Sequence, residues 1–192
     1  MAESNIQPFH RAPDLTGDKV RLSHLGIEFV SDRYVDWMND YEVVKFTESR
    51  FSHHTHQTIE QFVRNVESAT TSLAWAIFVE SEHIGNIKLG PVDWRHSYAD
   101  IGVIIGSKAH WGHGYATESL QLVVDWAFRN VHLHKLTSGF YDGNNASVRA
   151  FEKAGFSIEA RQSSHYYFEG EYIDRLAMAI INPSDASPPN QS

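Results

Sequence analysis

The 192-residue chain is 42% hydrophobic and 12% aromatic, which fits one globular domain able to bury a core and excludes a disordered chain. It holds no cysteine, so disulfides, thiolate metal sites and a cysteine nucleophile are excluded. A net charge of −8, no apolar run near the ~20 residues of a membrane span and no signal-peptide core at the N-terminus point away from nucleic-acid and membrane partners, and towards a cytoplasmic protein.

Residues 1–18 are polar and carry Pro8, Pro13 and Gly17, so they read as a flexible N-terminal arm. Lys19 to Leu25 alternates as a first strand, and Glu28 to Asn39 spaces Phe29, Val30, Tyr34, Trp37 and Met38 as one helix. A short helix over Tyr41 to Lys45, a His-rich loop over Ser52 to His56 and a helix from Thr58 to Ser68 follow. Strands are expected over Leu73–Val79, His83–Leu89 and Ala99–Ile105, then a long helix over Gly114–Asn130 with Leu120, Val123, Val124, Ala127 and Phe128 facing a core. Lys135–Tyr141 reads as strand and Ala146–Lys153 as helix. A hairpin of Phe156–Phe168 and Tyr172–Ile181 about Glu169-Gly170-Glu171 closes the domain, residues 19–181. Residues 182–192, with Pro183, Pro188 and Pro189, read as a disordered tail.

The stretch Trp111-Gly112-His113-Gly114-Tyr115-Ala116 joins the third of these strands to the long helix. Glycines let backbone approach a ligand closely, and the first turn of a helix offers unpartnered N–H groups and a positive dipole end, which suits an anion. Taken alone, a G-x-G is also the mark of an ordinary strand-to-helix turn. Beyond it lies Asn144-Asn145-Ala146-Ser147 and then Glu152-Lys153-Ala154-Gly155-Phe156. The two segments, in this order and spacing, resemble the GNAT superfamily of acetyl-CoA-dependent N-acetyltransferases, over about Val20 to Ile181. Its loop Q/R-x-x-G-x-G/A cradles the pyrophosphate of CoA, and N-x-x-S followed by E-K-x-G-F marks its next helix. Trp111 stands where the family has Gln or Arg.

The resemblance implies an α+β fold with a mixed, mostly antiparallel sheet flanked by helices. Its fourth and fifth strands splay, so that pantetheine amides pair with free backbone groups. It implies acetyl-CoA as co-substrate, no metal, and cofactor contacts from Ile104, Ile105, Trp111, Gly112, His113, Gly114, Tyr115, Ala116, Asn144, Ser147 and Lys153. The family's usual proton donor is a tyrosine seven residues after the motif asparagine, and here that position is Phe151. Ser147 is the nearest matched hydroxyl and the candidate donor, with helix capping as its competing role. Tyr141, Tyr166 and Tyr172 are other hydroxyls that could serve.

A base must take a proton from the attacking amine, and Glu48, Asp100 and Asp174 are the carboxylates weighed for it. Glu118 lies in the first turn of the long helix, where a carboxylate is stabilising whatever the chemistry. His53-His54-x-His56 invites a metal reading, but a polar loop without a carboxylate partner makes a solvated or acceptor-lining role the stronger one.

The acceptor reading rests on the run Trp37-Met38-Asn39-Asp40-Tyr41-Glu42-Val43, which resembles a GNAT branch of nucleotide amino-sugar and ribosomal-protein N-terminal acetyltransferases. A small-molecule amine, a nucleotide-linked amino sugar, is favoured over a protein N-terminus. Trp37, Asn39, Tyr41, Phe46, Lys88 and Trp94 are expected to hold it, and Arg50, Lys88 and Arg95 to pair with its diphosphate. An acetyl-CoA sensor without catalysis is the alternative of another class, and relatives suggest a possible homodimer.

Overall fold

The structure, a computed structural model, describes residue 9 and residues 11–185. Eight strands form one sheet in the order β1-β2-β3-β4-β5-β6-β8-β7: β1 Leu15–Thr16, β2 Arg21–His24, β3 Leu73–Val79, β4 Glu82–Asp93, β5 Tyr98–Ile105, β6 Lys135–Tyr141, β7 Ser157–Phe168 and β8 Glu171–Ile181. All neighbours are antiparallel except β5 and β6, which are parallel and pair only over Tyr98–Asp100 against Lys135–Thr137. Beyond Asp100 the two strands diverge, which is the splay expected between the fourth and fifth strands of the sequence reading.

Residue 9 and residues 11–18 are held more closely than the expected arm. Trp75, fully buried in the sheet, donates its indole N–H to Pro13 O at 2.7 Å, and Phe9 packs edge-on to Trp94 at 5.1 Å. Ala12 is buried and Leu15–Thr16 adds a short edge strand. At the other end Asn182 is buried, donating to Leu133 O, and residues 183–185 form a 3-10 turn. The remaining parts of the arm and tail, residues 1–8, 10 and 186–192, lie outside the described residues.

Five α-helices cover the sheet: α1 Asp32–Asn39, α2 Tyr41–Val44, α3 His56–Ser68, α4 Tyr115–Asn130 and α5 Asn145–Lys153. The single helix expected from Glu28 is two elements, a 3-10 turn Ile27–Phe29 and α1, because the Ser31 hydroxyl caps α1 by accepting from Tyr34 N–H. Thr55 and Thr58 close a capping box that starts α3. On one face of the sheet α4 and α5 cover Trp75, Ile87, Leu89, Ile101, Leu136 and Phe140; on the other, α1 and α3 cover Ala74, Ala76 and Phe78.

That second face continues across the sheet without helix cover. Register partners share a face and residues two apart return to it. Lys88 pairs with Gly102, Asp100 with Thr137 and Tyr141 with Arg175, so Lys88, Asp100, Gly102, Thr137, Gly139, Tyr141 and Arg175 all lie on one side. The loop after α1 and α2 hangs over the end of this uncovered area.

Candidate functional site

The loop between β5 and α4 is built to approach a ligand with backbone. Gly112 and Gly114 have φ of +80° and +85°, and Gly114 is the N-cap of α4 with no side chain capping that end. The first N–H groups of α4 are therefore left for an external acceptor. A Cβ added at Gly112 would meet nothing within 4 Å, and one at Gly114 only Lys19 Nζ at 3.7 Å, so the cradle is open. Lys19 adds a cation beside the loop, with Nζ 3.5 Å from His113 O. Its place is set by Glu118, whose carboxylate accepts the Lys19 backbone N–H, in line with a structural role for Glu118.

Trp111 explains its own departure from the motif. Its indole donates to Ile105 O at 2.7 Å and ties the loop to the end of β5. His113 stacks on Tyr115 with ring centroids 5.6 Å apart.

From this loop a cleft of about 830 Å³ runs along the splay between Gly102–Ile105 and Ser138–Tyr141 to residues 42–48. Ile104, Ile105, Trp111, Gly112, Gly114, Tyr115, Ala116, Asn144, Ser147 and Lys153 line it, whereas His113 faces its own loop, ring bonded to Trp111 O. Ser147 sits in the first turn of α5, and among the described residues its hydroxyl has no hydrogen-bond partner, so no capping bond occupies it. Phe151 is packed between Phe140 and Phe156, with ring centroids at 4.8 and 4.9 Å.

Of the three carboxylates weighed as base, the structure brings Glu48 alone into this cleft. Glu48 is exposed there and accepts a hydrogen bond from the Tyr141 hydroxyl. Tyr141 is buried, and burial first, then the bond to Glu48, pushes its phenol up to about 12, with Arg50 opposing. The phenol therefore stays a donor at neutral pH. Its ring stacks on Tyr166 at 3.9 Å, and the Arg50 guanidinium lies 4.5 Å from its centroid. Phe46 stacks on Phe168 at 5.2 Å and completes an aromatic wall around the carboxylate.

Asp174 is engaged elsewhere. It accepts from Ser164 N–H and from Arg161, both at 3.0 Å, which hold its carboxyl below the usual range and pin an irregular stretch of β7. Asp100 accepts the Thr137 hydroxyl and lines a second, smaller cavity.

The residues expected to hold an acceptor divide. Phe46 lines the cleft and Lys88 the smaller cavity, while Tyr41 stands outside the lining, donating to Glu169 at 2.6 Å. Trp37 is buried under the sheet end, edge-on to His83, and Trp94 packs on Phe9 away from the cleft. Asn39 bonds Val35 O and both backbone polar groups of His54, anchoring the His-rich loop to α1. Arg95 lies in the turn between β4 and β5, its backbone N–H held by Asp93, and lines neither cavity. In that loop the His54 ring bonds Ser49 O and His56 pairs with Asp32 at 2.8 Å. Among the described residues no three His, Cys, Asp or Glu side chains gather as a metal-holding group. No described helix is long and apolar enough to cross a membrane.

Arg175 and Lys19 are the site-flanking cations that sequence reasoning missed. Arg175 could have been suspected as a charge inside the apolar run of β8, and Lys19 carries no such signal.

Comparison with known proteins follows the same geometry. Probable N-acetyltransferase YjcK of Bacillus subtilis (strain 168) is 41% identical over 78 residues, 41% of this chain and 43% of that protein. The spermidine N(1)-acetyltransferase of Escherichia coli (strain K12) is 28% identical over 102 residues, 53% of this chain and 54% of that one. These matches span about half the length of those relatives. Among solved structures, the spermidine N-acetyltransferase of Vibrio cholerae in complex with CoA and spermine superposes with a TM-score of 0.76 at 19% identity, covering 86% of this chain and 97% of that one. RimL, a ribosomal L7/L12 alpha-N-protein acetyltransferase in complex with CoA, gives 0.80 at 16% identity, covering 90% and 100%. At such identities the likeness is one of fold, α+β with a mixed, mostly antiparallel sheet. The profile described as the acetyltransferase (GNAT) domain matches residues 21–157, most of the chain, and the protein belongs to that family.

Proposed function

We propose that this protein transfers the acetyl group of acetyl-CoA to a primary amine by direct attack in a ternary complex. One observation carries the reading: a single cleft joins an uncapped helix N-terminus flanked by two left-handed glycines to a carboxylate set in an aromatic wall. Gly112 and Gly114 leave the space a pyrophosphate needs, and the splayed backbone of Ile104 and Ile105 suits pantetheine.

Acetyl-CoA would supply an activated acyl carbon and a thiolate leaving group. Glu48 pairs with the incoming ammonium and takes one proton from it, and the neutral nitrogen then bonds to the acyl carbon. The Tyr141 hydroxyl keeps Glu48 oriented towards the cleft, and a β5 backbone N–H offsets charge on the acyl oxygen. The C–S bond breaks; Ser147, free of other partners, is the donor we assign to the sulfur, and the second proton that leaves the nitrogen returns to its hydroxyl.

For the acceptor we favour a nucleotide-linked amino sugar, supported by Phe46 in the cleft wall and by Lys88 in the adjoining cavity as a cation for its phosphates, whereas Arg50 is engaged by Lys45 O and the Tyr141 ring and lines neither space. Trp37, Asn39 and Trp94 lend this reading no support. A protein N-terminus is the competing acceptor, and the polyamine in the relatives' names is the comparison to beat.

The test is release of CoA thiol with nucleotide-linked amino sugars, N-terminal peptides and spermidine, beside calorimetric titration of acetyl-CoA. Turnover with an amino sugar supports the full reading, and turnover confined to peptides or spermidine reassigns the acceptor. Binding without turnover on any amine would make the protein a sensor. Gly114→Asp places a carboxylate against the phosphates and should abolish binding; retained affinity would contradict the placement of the cofactor.

A further inference from the structure

The smaller cavity, about 310 Å³, lies on the uncovered face of the sheet beneath the splay. Lys88, Gly90, Asp100, Ile101, Gly102, Ser138, Gly139 and Arg175 line it; Gly102, Ser138 and Gly139 also line the large cleft, so the two spaces meet at the splay. An acceptor lying in this cavity would therefore reach the point where the strands part.

Two cations face the cavity without a counter-ion. Lys88 Nζ donates to Gly90 O at 3.3 Å, and among the described residues no carboxylate lies within ion-pair distance of it. Arg175 donates Nε to the Tyr166 hydroxyl at 3.2 Å and Nη1 to Gln162 Oε1 at 2.9 Å, both neutral partners. These bonds fix the plane of the guanidinium and leave Nη2 free for an external acceptor. Gly139 makes that pose possible: a Cβ there would fall 2.6 Å from Nη2 and 3.0 Å from Cζ, so the guanidinium lies flat on the bare backbone of β6.

Asp100 is the one carboxylate of the cavity, and it takes the Thr137 hydroxyl instead of either cation. The formal balance of the lining is thus positive. A free polyamine meets two cations here, whereas an amine that also carries an acidic group finds an unoccupied fork and an ammonium on the same side as its target.

We propose that this cavity is an anion subsite, and that the acceptor is an amine bearing a carboxylate or phosphate held by Lys88 and Arg175. This rests on the acetyl-transfer reading, narrows its substrate class, and sets the protein apart from the polyamine enzymes it resembles in fold. Nucleotide-linked amino sugars belong to the class, as do sugar-phosphate amines and amino acids.

The experiment uses matched pairs on the full chain: glucosamine 6-phosphate against glucosamine, and glycine against glycinamide, with spermidine as the polycation. Binding in the presence of CoA is read by calorimetry and turnover by CoA release. A charge-assisted contact is worth about 1.5–3 kcal/mol, so the more acidic member of at least one pair should bind about tenfold or more tightly. The pair that responds distinguishes phosphate from carboxylate. Lys88→Met and Arg175→Gln should each erase that preference while leaving glucosamine, glycinamide and acetyl-CoA binding unchanged. Equal affinity within both pairs, preference for spermidine, or a preference that survives both substitutions would overturn the subsite. Preferential binding of an acidic amine with no CoA release would confirm the subsite and overturn acetyl transfer instead.

Discussion

Replacing Glu48 by Gln removes the cleft carboxylate bonded to Tyr141 while keeping a side-chain oxygen to accept the Tyr141 hydroxyl, so packing around Tyr141 and Tyr166 should survive. Without a proton acceptor, the reaction must draw on amine that is already neutral. For an amine with a pKa near 10.4 that fraction is about one part in a thousand at pH 7.4. General-base catalysis of this kind contributes about 10²–10⁴ in rate, so turnover at neutral pH should fall by about 10³, close to 4 kcal/mol of barrier. The variant should recover as pH rises, about tenfold per unit until the amine itself titrates, while the parent protein shows a flatter profile. The assay is CoA thiol release between pH 7 and 9.5, with thermal melting as the control for folding. A variant that keeps the parental rate at pH 7.4, or loses rate equally at every pH, would refute Glu48 as the base.

Gly106→Ala should destabilise without touching the cleft: a Cβ there falls 2.1 Å from Trp37 Cδ2, a rigid buried ring, and overpacking of about 1–3 kcal/mol should lower Tm by several degrees. Trp111→Phe loses the indole bond to Ile105 O, about 0.5–1.5 kcal/mol, and should weaken acetyl-CoA binding by calorimetry several-fold with little change in Tm. Tyr34 and Tyr141 are both raised from 10.0 to about 12, so the folded state holds protons that the unfolded chain releases first. Their stabilisation is complete below pH 10 and is lost as pH rises through 12, about 3 kcal/mol for the deeply buried Tyr34, and denaturant unfolding of Tyr34→Phe should show a shallower alkaline fall. His83, buried against Phe29, Tyr34, Trp37 and Phe78, has its pKa lowered by that burial. Stability should therefore also decline as pH falls below about 6.5, and His83→Gln should remove that slope.

Legibility in the sequence followed the strength of each local signal. Leu73–Val79 is a strand as read, since an apolar run of that length bounded by turn residues leaves few alternatives, and Lys135–Tyr141 is a strand over the expected span. The strand expected over His83–Leu89 runs on through Gly90-Pro91 to Asp93 as β4, past an irregularity in its pairing with β5. The loop from Trp111 to Ala116 was readable because glycine spacing reports backbone conformation directly. The acceptor side was less so, because exposure depends on which face of a sheet is left uncovered. Trp37 and Trp94 are aromatic residues near the right positions in sequence, but tertiary packing put Trp37 in the core and left Trp94 partly buried against it. Arg175 is brought to Tyr166 and Gln162 by the β7–β8 pairing, a non-local relation that no spacing rule shows.

The central claim is that one acetyl group passes from CoA to an amine within this cleft. The most direct measurement incubates the full chain with acetyl-CoA and glucosamine 6-phosphate, following free thiol and the mass of the amine together. The account predicts one thiol released for each amine that gains a single acetyl group, with both signals lost in Gly114→Asp and strongly reduced in Glu48→Gln. Thiol release without an acetylated amine, or equal product from Gly114→Asp, would contradict it.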